Sequence, residues 1–266
     1  MHEEAVADLQ MKLQLRAALD HREFVLFYQP LVRLDDQSIL GVEALIRWNH
    51  PTRGLLAPGE FIAHAEKMGF IVELGRWVLL QACSDFRLMQ EASRTSLSLN
   101  VNVSSLQLDE PDFLPCVLEA MEHGGIPPHW LQLEITESVF LKDAATVGAL
   151  FREIRACGVK IAFDDFGTGY SSLGYVEKYP IDILKIDQSF VQHMARSAMN
   201  ANIVQMIIRI AHSAGMTVSA EGVETLEQAN SLAEYGCSLA QGYLYSRPLP
   251  LPELIRLLVR GYATPA

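Results

Sequence analysis

Short β-rich runs alternate with helical stretches along almost the whole chain, and this alternation limits the fold more than any other feature. The runs are Phe24–Leu34, Ile39–Arg47, Leu97–Asn102, Leu131–Thr136, Lys160–Asp164, Ile183–Ile186, Thr217–Ala220 and Leu239–Gly242. Apolar residues recur at helical spacing over 60–67, 71–91, 111–123, 143–157, 198–214 and 225–235, with a last helix at 251–260. Eight strands alternating with helices predict an α/β fold, a TIM-like (β/α)8 barrel. Such a barrel takes about 250 residues, and the chain has 266. The first two runs are joined only by Asp35–Ser38. A crossover to a parallel neighbour needs about a dozen residues or more, so the first strand is expected to run antiparallel. Ahead of it, Leu9, Leu13, Ala17 and Leu19 fall near helical spacing. Residues 1–21 therefore read as a helix that packs on the barrel and also as a linker from an upstream domain, with the barrel domain over 22–266.

Polar residues gather where the runs end. Glu43 lies late in the second run, Asn102 ends the third, and Glu134 lies late in the fourth. Asp164-Asp165 ends the fifth, Lys185 ends the sixth, Glu221 follows the seventh, and Gln241 closes the eighth. In a β/α barrel the C-terminal strand ends converge on one face, where active sites sit. Five carboxylates, two amides and a lysine would share one basin. Crowded carboxylates cannot all stay ionised without cations, and oxygen ligands suit Mg²⁺ or Mn²⁺. Two ions about 3.5–4 Å apart are the natural occupancy, as in phosphodiester hydrolases. Adjacent side chains of a strand point to opposite faces. Asp165 can join Asp164 only if the chain is already turning there, and Gly167-Thr168-Gly169 follows at once.

Other chemistries find less support. The net charge is −11 with no run of Lys or Arg, which disfavours binding to a nucleic-acid polymer. No apolar run approaches the length of about 20 residues needed to cross a bilayer, and the N-terminus lacks the order of a signal peptide. The chain reads as cytoplasmic, although a longer parent could be membrane-anchored. Cys83, Cys116, Cys157 and Cys237 are widely spaced without a C-x-x-C pattern, consistent with reduced thiols. The eight histidines form no H-x-H or H-x-x-x-H, against zinc, and no G-x-x-x-x-G-K-[ST] loop is present.

The ordered motifs resemble those of the EAL-domain cyclic di-GMP phosphodiesterases. Glu43-Ala44-Leu45-Ile46-Arg47 resembles E-A-L-x-R, Asn102-Val103-Ser104 resembles N-x-S, and Glu134-Ile135-Thr136-Glu137 resembles E-x-T-E. Asp164 to Leu173 resembles D-D-F-G-T-G-x-S-S-L. Lys185-Ile186-Asp187, Glu221-Gly222-Val223-Glu224, Gln241-Gly242-Tyr243 and Tyr28-Gln29-Pro30 complete the series. The resemblance implies a barrel with one antiparallel strand and hydrolysis of cyclic di-GMP to pGpG. It implies that Glu43, Asn102, Glu134 and Asp164 hold one metal, and that Asp164, Asp165 and Glu221 hold a second. It casts Lys185 as the group that orients the water, Glu221 as candidate base, and Arg47 as a phosphate ligand. Gln29 would read a guanine edge, Leu45 would line the substrate site, and Gln241 would complete the water or metal shell. Glu137 would anchor the loop after Asp165. The cofactors implied are two Mg²⁺ or Mn²⁺ ions, with Ca²⁺ inhibitory. The partners implied are a second copy of the chain and an upstream sensor or GGDEF domain. The alternative is a catalytically silent module that binds cyclic di-GMP or a protein.

Overall fold

The structure, a computed structural model, describes residues 2–93, 96–141, 143–167 and 173–260. A closed barrel forms from β1 (Phe24–Arg33), β2 (Ile39–His50), β4 (Ser98–Asn102), β5 (Leu131–Ile135), β6 (Lys160–Phe166), β7 (Ile183–Ile186), β8 (Thr217–Ala220) and β9 (Leu239–Ala240). β1 pairs antiparallel with both of its barrel neighbours, β2 and β9. The other neighbouring barrel strands pair in parallel, from β2 through β4 and onward to β9. The short link at Asp35–Ser38 thus has the expected consequence. Two short strands add to the rim: β3 (Gly54–Leu56) on β2 and β10 (Leu249–Pro250) on β1.

The expected runs match these strands with shifts at their ends. β2 continues to His50 and β6 to Phe166, whereas β9 stops at Ala240 and leaves Gln241 just beyond it. Outside the barrel lie α1 (His2–Asp20), α2 (Ile62–Lys67), α3 (Ile71–Ala92), α4 (Phe113–Gly124) and α5 (Ala144–Ala156). They are followed by α6 (Leu173–Lys178), α7 (Gln188–Met194), α8 (Ala198–Ser213), α9 (Leu226–Glu234) and α10 (Leu251–Arg260). The helical spacing did not reveal α6 and α7. Each spans two turns or less, too short to establish a period.

Alternation along the strands sorts the side chains. Leu99 and Val101 of β4, like Leu131, Leu133 and Ile135 of β5, are buried. The residues between them, Asn100, Asn102, Gln132 and Glu134, belong to the opposite face. That face is the barrel interior, since Asn100 bonds to Glu134 and Asn102 to Glu43 of β2. A typical barrel interior is filled by branched apolar layers; this one is polar toward the C-terminal ends. The apolar packing lies outside, where α3 buries Leu74, Leu79, Cys83 and Phe86, and α8 buries Val204, Ile207, Ile208 and Ala211. Burial of that many side chains, at about 1.5–3 kcal/mol each, gives the polar interior a rigid frame.

α1 packs on this frame, but not by the face its spacing suggested: Leu13 and Ala17 are exposed and Leu19 is half-buried. Leu15 and Ala18 are fully buried. Arg16 pairs with Glu73 of α3, and Lys12 Nζ donates to the Met68 carbonyl at 3.4 Å, in the turn between α2 and α3.

The loops after β8 and β9 are locked together by a backbone contact that leaves no room for a side chain. Val223 N donates to the Gln241 carbonyl at 3.1 Å, and Leu244 N donates to the Val223 carbonyl at 3.0 Å. A Cβ on Gly242 would come within 2.1 Å of the Val223 carbonyl oxygen. Gly242→Ala is therefore expected to destabilise the fold by about 1–3 kcal/mol. Thermal unfolding should show a loss of about 2–4 °C per kcal/mol. An unchanged midpoint would contradict the contact.

Candidate active site

Lys185 is the only cation in the centre of the barrel mouth among the described residues, and acids surround it. β7 is buried along its whole length, and Lys185 itself is 1% exposed. Its Nζ lies 2.6 Å from Glu221 Oε1, 2.7 Å from Glu134 Oε2, 3.2 Å from Asp164 Oδ1 and 3.9 Å from Glu43 Oε2. One positive charge thus faces four carboxylates. Burial alone would drive Lys185 to lose its proton, but Asp164, Glu134, Glu221 and Glu43 outweigh burial and hold its pKa well above the ordinary value. The acids respond in the opposite sense. Burial, then Glu43, pushes the Glu134 carboxyl well up. Burial pushes Glu221 up to about 8, partly relieved by Lys185. Burial and Asp164 push Asp165 up to about 6.

A chain of amides holds Glu43. Asn102 Nδ2 donates to Glu43 Oε1 at 2.7 Å, and Gln241 Nε2 donates to Glu43 Oε2 at 2.6 Å. Gln241 Nε2 also donates to Gln29 Oε1 at 2.9 Å, and Gln29 Nε2 to the Ser246 carbonyl at 3.0 Å. Gln241 Oε1 is buried without a hydrogen-bond partner, which leaves an acceptor free at the site. Both oxygens of Glu43 are bonded, so its position is set before any ligand arrives.

Asp164 and Asp165 meet the expectation that the chain turns between them. Asp165 has φ +54°, a left-handed conformation, and the β6–β7 register shifts between Phe163 and Phe166. A bulge of this kind re-aims a side chain at the rim of a barrel. A non-glycine residue at positive φ costs energy that the surrounding structure must offset. Here the Asp165 N–H donates to Asp164 Oδ1 at 3.0 Å. Asp164, Asp165 and Glu221 each bring one oxygen within 4.8 Å of the other two. An all-oxygen donor set with excess negative charge fits a hard divalent cation.

Two cavities open on this centre. One, of about 250 Å³, is lined by Gln29, Glu43, Leu45, Asp164, Glu221, Gln241 and Tyr243. The other, of about 840 Å³, adds Asn102 and Asp165 to an apolar wall that includes Ile62, Leu74 and Val78. Glu43 and Leu45 border both. Arg47 follows two residues later on the same strand face. Its Nη1 donates to the Ile46 carbonyl at 2.8 Å, and its guanidinium lies 5.6 Å from the centre of the Phe27 ring. Glu137 starts a short 3-10 turn after β5 and is half-buried. Residues 168–172 of the loop it is expected to anchor lie outside the described residues.

Three polar groups near the centre were not singled out by sequence reasoning. Asn100 Nδ2 donates to Glu134 Oε1 at 2.8 Å; two residues before Asn102, it lies on the same strand face. Asp187 caps α7, accepting from Ser189 N at 3.0 Å, and its charge helps to raise the Asp165 pKa. Glu66 on α2 accepts from Ser104 Oγ at 2.7 Å and lines the larger cavity. Strand alternation could have revealed Asn100. Glu66 carried no such signal.

The EAL domain pattern matches residues 12–248, nine-tenths of the chain. The chain belongs to the EAL domain family. Among curated relatives, MucR of Pseudomonas aeruginosa, a bifunctional diguanylate cyclase/cyclic di-GMP phosphodiesterase, is 40% identical over 96% of this chain and 37% of its own length. NbdA of the same organism, a cyclic di-GMP phosphodiesterase, is 42% identical over 97% of this chain and 33% of its own. The EAL chain thus spans about a third of the length of these relatives. Among solved structures, the MucR phosphodiesterase in complex with c-di-GMP superposes with a TM-score of 0.87 at 40% identity, covering 92% of this chain and 99% of that one. The EAL enzyme Bd1971, bound to cAMP and cyclic di-GMP, gives 0.92 at 34% identity over 96% of this chain and 70% of that one.

The raised acids have a consequence for stability. Glu221 and Asp165 titrate near 8 and 6 in the folded EAL chain, against reference values of 4.5 and 3.8. Between those limits the folded state binds more protons than the unfolded state. The contribution of these groups is complete below the lower values and is lost as pH rises through the upper ones. Chelator-treated protein should therefore lose thermal stability between about pH 5 and about pH 8. Glu221→Gln, which cannot ionise, should flatten that fall. An equally steep fall in the variant would show that Glu221 is not its source.

Proposed function

We propose that this EAL domain hydrolyses cyclic di-GMP to linear 5′-pGpG with two divalent cations, Mg²⁺ or Mn²⁺. The observation that carries the reading is the ring of buried Glu43, Glu134 and Asp164 and half-buried Glu221 around Lys185, with Asp165 turned toward it by a bulge. Glu43, Asn102, Glu134 and Asp164 would hold one cation, and Asp164, Asp165 and Glu221 the other. When bound, the cations would acidify a water molecule and neutralise charge on the phosphoryl oxygens. The names of the relatives and the c-di-GMP complex of MucR support the substrate.

The residues divide the remaining work. Lys185 orients the water and stabilises negative charge developing on the phosphoryl group. Glu221, whose Oε1 lies 2.6 Å from Lys185 Nζ, is placed to take the proton from that water. The water oxygen bonds to phosphorus and the P–O3′ bond breaks; the 3′ oxygen takes a proton from solvent to leave as a hydroxyl, and Glu221 returns its proton to solvent. Arg47 leaves the Ile46 carbonyl to fork onto a phosphate oxygen. Gln29 faces the smaller cavity with an amide that can read a guanine edge, Gln241 completes the water or metal shell, and Leu45 lines the substrate site. The larger cavity, of about 840 Å³, falls in the range of about 300–1,000 Å³ typical of ligand sites.

The catalytic domain would occupy 22–266, with 1–21 as the linker from an upstream sensor or GGDEF domain, and the active form would be a homodimer. The greater length of the relatives supports the upstream domain. The domain would act in the cytoplasm. The described helices include none long and apolar enough to cross a membrane. Glu137 would anchor the loop that follows Asp165 and so steady the second cation.

Purified protein with cyclic di-GMP and Mg²⁺ or Mn²⁺ should release pGpG, measured by chromatography. Ca²⁺, which prefers six to eight ligands at longer distances, should support little turnover. Glu43→Ala, Asp164→Ala and Glu221→Ala should each fall to background with the fold intact. Lys185→Ala should lose about 10²–10³-fold in kcat while still binding substrate. Turnover with Ca²⁺ alone, or near-normal turnover in Lys185→Ala, would contradict the mechanism.

A second measurement addresses Glu137. Glu137→Ala should lower turnover and raise the Mg²⁺ concentration needed for half-maximal rate. Unchanged kinetics would leave Glu137 without an anchoring role.

A further inference from the structure

Asn100 decides what Glu134 can offer. The Glu134 carboxylate is buried, and its two oxygens have different partners. Oε1 accepts from Asn100 Nδ2 at 2.8 Å, and Oε2 faces Lys185 Nζ at 2.7 Å. Asn100 is 3% exposed, so no solvent competes for its amide. Its own carbonyl lies 3.5 Å from Ser98 Oγ, whose hydroxyl also reaches the Leu40 carbonyl at 3.4 Å, so the NH₂ end is the one turned to the acid. Ser98 in turn occupies the space above Gly41, where a Cβ would come within 2.2 Å of Ser98 Oγ. Three inward positions on two strands thus end in one donor aimed at one oxygen of Glu134.

We propose that Asn100 is a positioning residue that keeps Glu134 a one-oxygen ligand and thereby sets the preference of the site for small divalent cations over Ca²⁺. This rests on the divalent-cation reading of the site. The amide bond to Oε1 fixes the plane of the Glu134 carboxylate and turns the other oxygen, Oε2, toward the centre where Lys185 Nζ lies, so the acid presents one oxygen there. Mg²⁺ and Mn²⁺ are satisfied by such ligands in octahedral geometry. Ca²⁺ takes more oxygens, commonly from carboxylates that bind through both. Without Asn100, Glu134 Oε1 is released and the carboxylate can rotate to present both oxygens. The site then becomes looser for the small ion and better suited to the large one.

The test is calorimetric titration of Mn²⁺ and of Ca²⁺ into chelator-treated wild type, Asn100→Leu and Asn100→Ser, with thermal unfolding of each before titration. Leu preserves volume without a donor, and Ser is too short to reach Glu134, so either folded variant suffices. The expected result is Mn²⁺ binding weakened about 10-fold, as for loss of an outer-shell partner. Ca²⁺ binding should be unchanged or tighter, so the Mn²⁺/Ca²⁺ affinity ratio falls about 10-fold or more in both variants. A ratio equal to that of wild type, even with reduced thermal stability, would overturn the proposal and leave Asn100 a structural hydrogen bond. Wild-type protein that binds neither ion would overturn the cation reading itself, and this proposal with it.

Discussion

The rest of the site depends on the ammonium of Lys185 among four acids. A buried lysine without counter-charges would lose its proton, and four buried carboxylates without a cation would gain theirs. Together they reach a partial balance, with the lysine protonated and Glu134, Glu221 and Asp165 each shifted upward. The remaining negative charge is a standing demand for cations. The barrel holds the acids in place because each comes from a different strand or strand end whose outward neighbours are locked in an apolar layer. Relaxing the repulsion would require moving β2, β5, β6 or β8 against helices such as α3 and α8.

That rigidity contrasts with the larger cavity on the other side of Glu43. Its wall includes α2, which touches the interior through Glu66 and Ser104. α1 grips the turn between α2 and α3 through Lys12, and α3 itself through Arg16 and Glu73. α1 and the wall of the cavity thus share a short structural path. The acids of the central ring lie on strands that this path does not include.

Much of this was legible in the sequence, and the reasons are particular. The antiparallel first strand followed from the four residues Asp35–Ser38, since chain length forbids any other course. The convergence of Glu43, Glu134, Asp164 and Glu221 followed from barrel topology, which puts strand ends on one face. A change of course at Asp165 followed from two adjacent acids that both had to face inward, but its form, a bulge within β6 with Asp165 left-handed, did not. What stayed hidden lacked a periodic signal. α6 and α7 are too short to show one, and Gln241 lies outside β9 because the chain leaves the strand to pack Gly242 on Val223. Asn100 was hidden for another reason: its role depends on which oxygen of Glu134 it meets, a distance between strands that spacing along one strand does not carry.

The central claim is that the ring around Lys185 is built to hold two divalent cations. Equilibrium dialysis of Mn²⁺ against chelator-treated protein counts them directly. The account predicts two saturable ions per chain, and one in Asp165→Ala, because Asp165 is assigned to the second site alone. No saturable binding, or the same number in wild type and Asp165→Ala, would contradict it.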